Sequence, residues 1–261
     1  MSRFTEFKEK LAQCRPVLGT TIGNIPWSGI AQKLASFPFD FVLIDEEHGT
    51  ISVESAEELL RVCRLCDLPT IVRVTAAAPH LISKTLDMGA DGIMIPRFEK
   101  EEQLEILLRA ARYYPRGRKG CGGFSNFRSE DGGSVEKYND NRLLILQIES
   151  EEGLAILPEM LRKYKGEIAG VLIGPYDSSI MLGTPMNITS KKMQVYVKAV
   201  FDACRAEGVS CGSYVDNAGM IDYYRDLGAN MFWTGSELSL LCEACGNLCN
   251  AFSEKSKSWK L

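Results

Sequence analysis

The chain has 261 residues, 45% of them apolar and 25% charged, which is ordinary globular usage and excludes a disordered, collagen-like or coiled-coil molecule. Its 30 basic and 34 acidic side chains nearly balance, and no basic run exceeds a few residues, so nucleic acid is not an expected partner. The first residues lack the apolar stretch of a secretory signal and nowhere do 18 apolar residues run together, which predicts a cytoplasmic protein without a membrane segment, its nine cysteines free thiols in a reducing compartment.

After an N-terminal helix, short β-rich apolar runs alternate with segments of helical spacing. Eight strands are predicted: Val17 to Gly23, Phe39 to Asp45, Thr70 to Val74, Gly92 to Pro96, Leu143 to Glu149, Ile168 to Gly174, Val209 to Tyr214 and Asn230 to Gly235. Runs such as FVLI and LLILQI suit strands covered on both faces, as in a parallel sheet. Between them, Leu104, Leu107, Leu108 and Ala111 share one helix face, as do Met193, Tyr196, Val197, Val200, Phe201 and Cys204. Gly89 and Gly208 stand where helices should end, because glycine takes the left-handed conformation cheaply. Eight strand-then-helix units with no compositional break over residues 1–261 predict one α/β domain, a (β/α)8 TIM barrel, with a doubly wound sheet as the alternative. Two segments stand outside that scheme. Residues 113–142, rich in Gly and Ser, read as a functional loop or lid. The C-terminal helix carries Leu238, Leu241, Cys245, Leu248 and Phe252 on one stripe before a polar tail, and reads as a protruding element that packs on another subunit.

In such a barrel, chemistry collects where strands end. The second strand delivers Asp45, Glu46, Glu47 and His48, the third Arg73, the fifth Gln147 and Glu149, and the sixth Gly174 and Asp177. Glu149 and Asp177 are candidates for a hard divalent cation, since two carboxylates leave positions for water and a bidentate ligand. With two histidines in the chain, a zinc cage is disfavoured. Asp45, three residues before His48, is placed to orient that ring as an acid–base group. Arg73, in an apolar strand, must find an anion or carbonyl oxygen. The Gly174-Pro175 turn offers backbone N–H groups to an anion. Cys63 and Cys66, and Cys242, Cys245 and Cys249, fall on helical stripes and read as core thiols. GCGG follows no strand and is not a dinucleotide fingerprint, and His80 is expected to be solvated.

In combination and order, FDFVLIDEEHG (39–49), PTIVRV (69–74), LDMGADGIMIP (86–96), YYPRGRKG (113–120), LQIES (146–150) and IGPYDSSIMLG (173–183) resemble the class II pyruvate aldolases of the HpcH/HpaI family. The resemblance spans most of the chain. It implies a metal-dependent barrel in which Glu149 and Asp177 hold Mg2+ or Mn2+, with Co2+ or Zn2+ as alternatives, and the cation chelates the carboxylate and 2-oxo oxygen of pyruvate. His48, paired with Asp45 and supported by Asp87, would assist proton movement. Arg73 would steady the developing enolate oxygen, Gln147 would help place the substrate, and the backbone around Gly174, Pro175 and Tyr176 would take its carboxylate. It further implies a 2-oxo acid and an aldehyde as partners, and a hexamer, a trimer of dimers, in which C-terminal helices swap between subunits.

The chemistry accounts for those residue types, because cleaving the bond beyond a 2-oxo group leaves negative charge that a cation and Arg73 stabilise where it develops. This sequence departs from the family pattern at Tyr176, where a small residue is usual, at Ser178 in place of Leu, at Lys119 in place of Arg, and in the first strand, whose GTT lacks an aromatic. The electrophile therefore stays open. Two alternatives accompany the aldolase reading: an enolate condensation such as citrate formation from oxaloacetate and acetyl-CoA, and a barrel that binds a 2-oxo acid without turnover.

Overall fold

A computed structural model of the chain describes residues 1–122 and 126–259. Eight strands, β1 (Val17–Ile22), β2 (Phe41–Asp45), β3 (Thr70–Arg73), β4 (Gly92–Ile95), β5 (Leu143–Ile148), β6 (Gly170–Ile173), β7 (Ser210–Val215) and β8 (Met231–Ser236), pair in parallel and in chain order, and β8 closes on β1. The helices are α1 (Arg3–Ala12), α2 (Gly29–Leu34), α3 (Val53–Leu65), α4 (Pro79–Met88), α5 (Glu101–Ala111), α6 (Val135–Asn141), α7 (Glu151–Lys163), α8 (Pro175–Met181), α9 (Lys191–Glu207), α10 (Ala218–Leu227) and α11 (Glu237–Ser256). The barrel predicted from the alternation is therefore the observed fold. Among the described residues no helix is long and apolar enough to cross a membrane.

Side-chain alternation along each strand divides the core in two. Val42, Ile44, Val72, Leu144, Leu146, Val171 and Ile173 face the helices, where they pack with the stripes of α3, α5, α7 and α9. Phe41, Leu43, Ile71, Met94, Ile145, Leu172, Met231 and Trp233 face inward. α1 stoppers the end where the strands begin: Phe4, Phe7 and Leu11 join the inner cluster, and Phe7 stacks on Phe41 with ring centroids 5.1 Å apart. Gly19 on β1 makes room for that ring, since a Cβ there would overlap Phe41. The same alternation carries the inward row of β2 from Phe41 and Leu43 to Asp45, that of β3 from Ile71 to Arg73, and that of β5 from Leu143 and Ile145 to Gln147. An apolar floor thus gives way to a polar rim without any strand breaking register. Gly89 and Gly208 end α4 and α9 at φ 112° and 68°, as predicted.

Two expectations are corrected. The described residues of 113–142 do not form a lid over the rim within the chain: they lie between α5 and β5, and in a barrel such a connection runs where strands begin, opposite the rim. Gly123, Phe124 and Ser125 lie outside the described residues. Around them the segment is tied down, with a 3-10 turn at Ser129–Asp131, Arg128 paired to Asp91, Arg142 to Asp131 at 2.7 Å, and Tyr138 packed on Tyr113 at 4.8 Å. The cysteines of α11 are not core: Cys63 is buried and Cys66 half-buried, but Cys242, Cys245 and Cys249 are exposed, because α11 leaves the barrel after its first turn.

Candidate active site

The rim encloses a cavity of about 380 Å³ whose walls include Thr21, Asn24, Asp45, His48, Arg73, Gln147, Gly174, Pro175, Tyr176, Asp177, Tyr214 and Trp233. Asp45 and Arg73 are register partners on adjacent strands. The guanidinium donates from Nε to Asp45 Oδ1 at 2.9 Å and from Nη2 to Oδ2 at 2.6 Å, a bidentate pair, while Nη1 lies 3.3 Å from Glu47 and 3.4 Å from Gln147 Oε1. Burial opposes charging Asp45, and the Arg73 bonds outweigh it, holding the carboxyl below its usual range. The Arg73 Cζ also sits 5.7 Å from the Trp233 ring centre.

Glu149 follows β5 and is 4% exposed. Burial first, then the carboxylates of Asp177 and Glu47, push it up to about 7. Gln147 Nε2 donates to Glu149 Oε1 at 2.6 Å. Gly174 passes so close that a Cβ there would overlap Glu149 Oε1 and sit 2.7 Å from Gln147 Nε2, so this position requires glycine for space alone. Gly174 caps α8, Pro175 opens it, and Asp177 lies in its first turn, where Tyr176 and Asp177 present N–H groups that no helical carbonyl can take. Repulsion between buried Glu149 and its half-buried acidic neighbours is what a cation relieves, and hard carboxylate oxygens suit a hard divalent ion. Among the described residues no group of three or more His, Cys, Asp or Glu is arranged to hold a metal ion. Were a metal held here by Glu149 and Asp177, the rest of its coordination shell would be left to water and substrate oxygens.

The residues brought to this rim are Asp45, His48, Arg73, Gln147, Gly174, Pro175, Tyr176 and Asp177, with Glu149 bonded behind Gln147. Two expected pairings are not there. Asp45 does not orient the His48 ring: its oxygens serve Arg73 and the backbone N–H groups of Glu47 and His48, and the ring Nε2 lies 3.7 Å from Glu47 instead. Asp87 does not support His48 within the chain. It lies in the last turn of α4, which returns to the strand beginnings, and its carboxylate accepts from Lys119 Nζ at 2.5 Å and Asn126 Nδ2 at 2.9 Å. Sequence reasoning missed Tyr214 and Trp233, which continue the inward rows of β7 and β8, and Glu237, which is buried at the start of α11 and accepts from the N–H groups of Gly23, Asn24 and Ile25 at 2.5–3.1 Å. Inward alternation could have found the two aromatics. Glu237 carried no signal beyond its place in a helix's first turn. His80 is exposed, as expected.

Residues 28–244 match the family model described as HpcH/HpaI aldolase/citrate lyase. The chain is 31% identical over 259 residues to a hydroxypyruvate/pyruvate aldolase of Deinococcus radiodurans, covering 96% of this chain and 91% of that one. It is 30% identical over 251 residues to a 4-hydroxy-2-oxo-heptane-1,7-dioate aldolase of Klebsiella pneumoniae, covering 95% and 93%. Among solved structures it resembles the citrate synthase SbnG with a TM-score of 0.82 and 26% identity, over 96% and 98% of the two chains.

Proposed function

The chain belongs to the HpcH/HpaI aldolase/citrate lyase family, and from that premise we propose that it is a class II aldolase that cleaves a 4-hydroxy-2-oxo acid to pyruvate and an aldehyde, or joins them. The observation that carries this reading is the rim itself, where Glu149, raised to about 7 by burial first and by its acidic neighbours second, is bonded to the Gln147 that lines the cavity beside Arg73. A divalent cation, Mg2+ or Mn2+, held by Glu149 and Asp177 would supply charge stabilisation for the enolate.

The chain's own groups divide the remaining work. Arg73 Nη1, the guanidinium nitrogen that does not bond Asp45, meets the oxygen that gains charge, and Asp45 keeps the guanidinium from turning away. The N–H groups of Tyr176 and Asp177 seat the substrate carboxylate, and Gln147 fixes Glu149 while reaching into the cavity. In cleavage the bond between C3 and C4 breaks, its electron pair enters the pyruvate fragment, and the C4 hydroxyl yields its proton to become the aldehyde. His48, half-exposed at the cavity mouth, accepts that proton and returns it to C3 of the enolate, which completes pyruvate; in the joining direction the same proton moves back. The exposed stripe of α11 supports a homo-oligomer, in which a second copy covers it and the family's hexamer is the expected form.

Purified protein incubated with pyruvate and Mn2+ in D2O should exchange the methyl protons of pyruvate, and EDTA or Glu149→Ala should abolish the exchange. Exchange that survives both treatments, or never occurs, removes the reading. The likeness to a citrate synthase favours one second reading, condensation of an enolate with acetyl-CoA, which release of free thiol from acetyl-CoA with oxaloacetate would reveal.

A further inference from the structure

One wall of the cavity is an uninterrupted aromatic series. Trp233 lies against Arg73; the Tyr214 ring meets Trp233 at 5.6 Å and 70°; the Tyr176 ring meets Tyr214 at 6.3 Å. Tyr176 ends at Asp216, the residue that follows β7. The Tyr176 hydroxyl donates to Asp216 Oδ2 at 2.5 Å, and the Asp216 charge also bears on the Tyr214 hydroxyl. A flexible phenol at a cavity mouth is thereby tied across from the β6 end to the β7 end, and a carboxylate is held at the same edge.

Charge along the cavity points the same way. Arg73 is the one permanently cationic side chain among the described residues that line it, and its guanidinium is bonded to Asp45 and flanked by Glu47. No ion pair neutralises Asp216 among the described residues. The lining away from the acid pair is Thr21, Asn24, Ser236 and Ser239 with the aromatic wall, all uncharged. A substrate tail ending in a carboxylate would meet, among the described lining residues, no permanent cation but the Asp45-paired Arg73, and at the Tyr176 edge it would face the Asp216 carboxylate bonded to that phenol.

We propose that Asp216 is a positioning residue which, through the Tyr176 hydroxyl, shapes the electrophile side of the cavity for a short, uncharged aldehyde and excludes longer or carboxylate-tailed ones. The inference rests on the aldolase reading and adds the class of electrophile. Two properties of Asp216 act separately. Its acceptor oxygen ties Tyr176 and limits length, and its charge repels an anionic tail.

The test measures kcat and KM with saturating pyruvate and Mn2+ for propanal, butanal, hexanal and 4-oxobutanoate, beside pyruvate proton exchange in D2O on the same preparations. In the unaltered protein, kcat/KM for hexanal should fall at least tenfold below propanal, and 4-oxobutanoate at least tenfold below butanal, its four-carbon neutral counterpart. Asp216→Asn keeps an acceptor oxygen and removes the charge. It should raise the 4-oxobutanoate to butanal ratio about fivefold, mainly through KM, and leave hexanal excluded. Asp216→Ala releases the Tyr176 hydroxyl as well and should admit hexanal too. A merely structural aspartate would lower all four aldehydes together. The inference is overturned if the unaltered protein prefers 4-oxobutanoate to butanal, or if neither variant moves either ratio by more than twofold while exchange proceeds. Absence of exchange in the unaltered protein overturns this inference and the aldolase reading together.

Discussion

Arg73 sits at the centre of the site with acidic neighbours on two sides, and its orientation is decided by Asp45, which takes two of its nitrogens. Both partners are about 6% exposed, so removing the charge of one leaves the other buried and poorly solvated. Asp45→Asn should therefore lower the stability of the protein by about 2–4 kcal/mol in urea unfolding near neutral pH, with Glu47, 3.3 Å from Nη1, limiting the loss. The pH dependence has a fixed sign. Because the folded-state pKa of Asp45 is depressed, its contribution is fully present above the ordinary carboxylate value of about 3.9 and disappears as pH falls through the depressed value. The stability gap between the native protein and the Asp45→Asn variant should thus be constant from pH 5 to 7 and shrink below about pH 4. A gap that instead closes between pH 5 and 7 would show that Asp45 has no such depressed pKa.

At the scale of the element, the strands carried most of what the sequence could tell. The inward rows ending in Asp45, Arg73 and Gln147 follow from alternation alone, and predicted strand boundaries agree with the observed ones to within two residues, as at Ile168 to Gly174 against Gly170–Ile173. Ends differ because a strand stops where its neighbour's hydrogen bonds stop, which side-chain pattern does not report. Which acid serves which partner was not legible for a related reason. Asp45 lies three residues from His48 in sequence, but the register of β2 against β3 sets Arg73 directly beside it. Glu237 illustrates a contact made entirely by folding: the carboxylate that opens α11 collects three N–H groups from the loop after β1, over 200 residues away in sequence. Glu237→Ala should leave those donors unpaired and destabilise the protein by about 1–3 kcal/mol. Hydrogen exchange of the Gly23, Asn24 and Ile25 amides should speed up selectively. Uniform exchange across the barrel would mean that Glu237 does not hold this loop.

For the whole molecule, the barrel satisfies itself and α11 does not. Its 20 residues bury Glu237 alone, while Leu241, Leu248 and Phe252 are 53%, 73% and 59% exposed and recur at spacings of seven and four, along one face. A helix of that length extends about 30 Å, and an apolar stripe along it gains about 25 cal/mol for each Å² removed from water. An unaccompanied chain leaves that gain unrealised, which is the physical ground for expecting a second copy to cover it. The sequence could place the stripe but not its exposure, since Cys245 on it and Cys242 and Cys249 beside it look like core thiols until the path of the helix is known. Sedimentation should accordingly find a multiple of the 29.0 kDa chain mass, and the paired change Leu241→Asp with Leu248→Asp should shift the protein toward single chains while far-UV circular dichroism retains the barrel's signal. If the native chain sediments as a monomer, or the double variant keeps the native mass, the stripe is not the contact between copies. The barrel's own core makes the outcome readable, because the inner and outer clusters contain no residue of α11 and should survive its release.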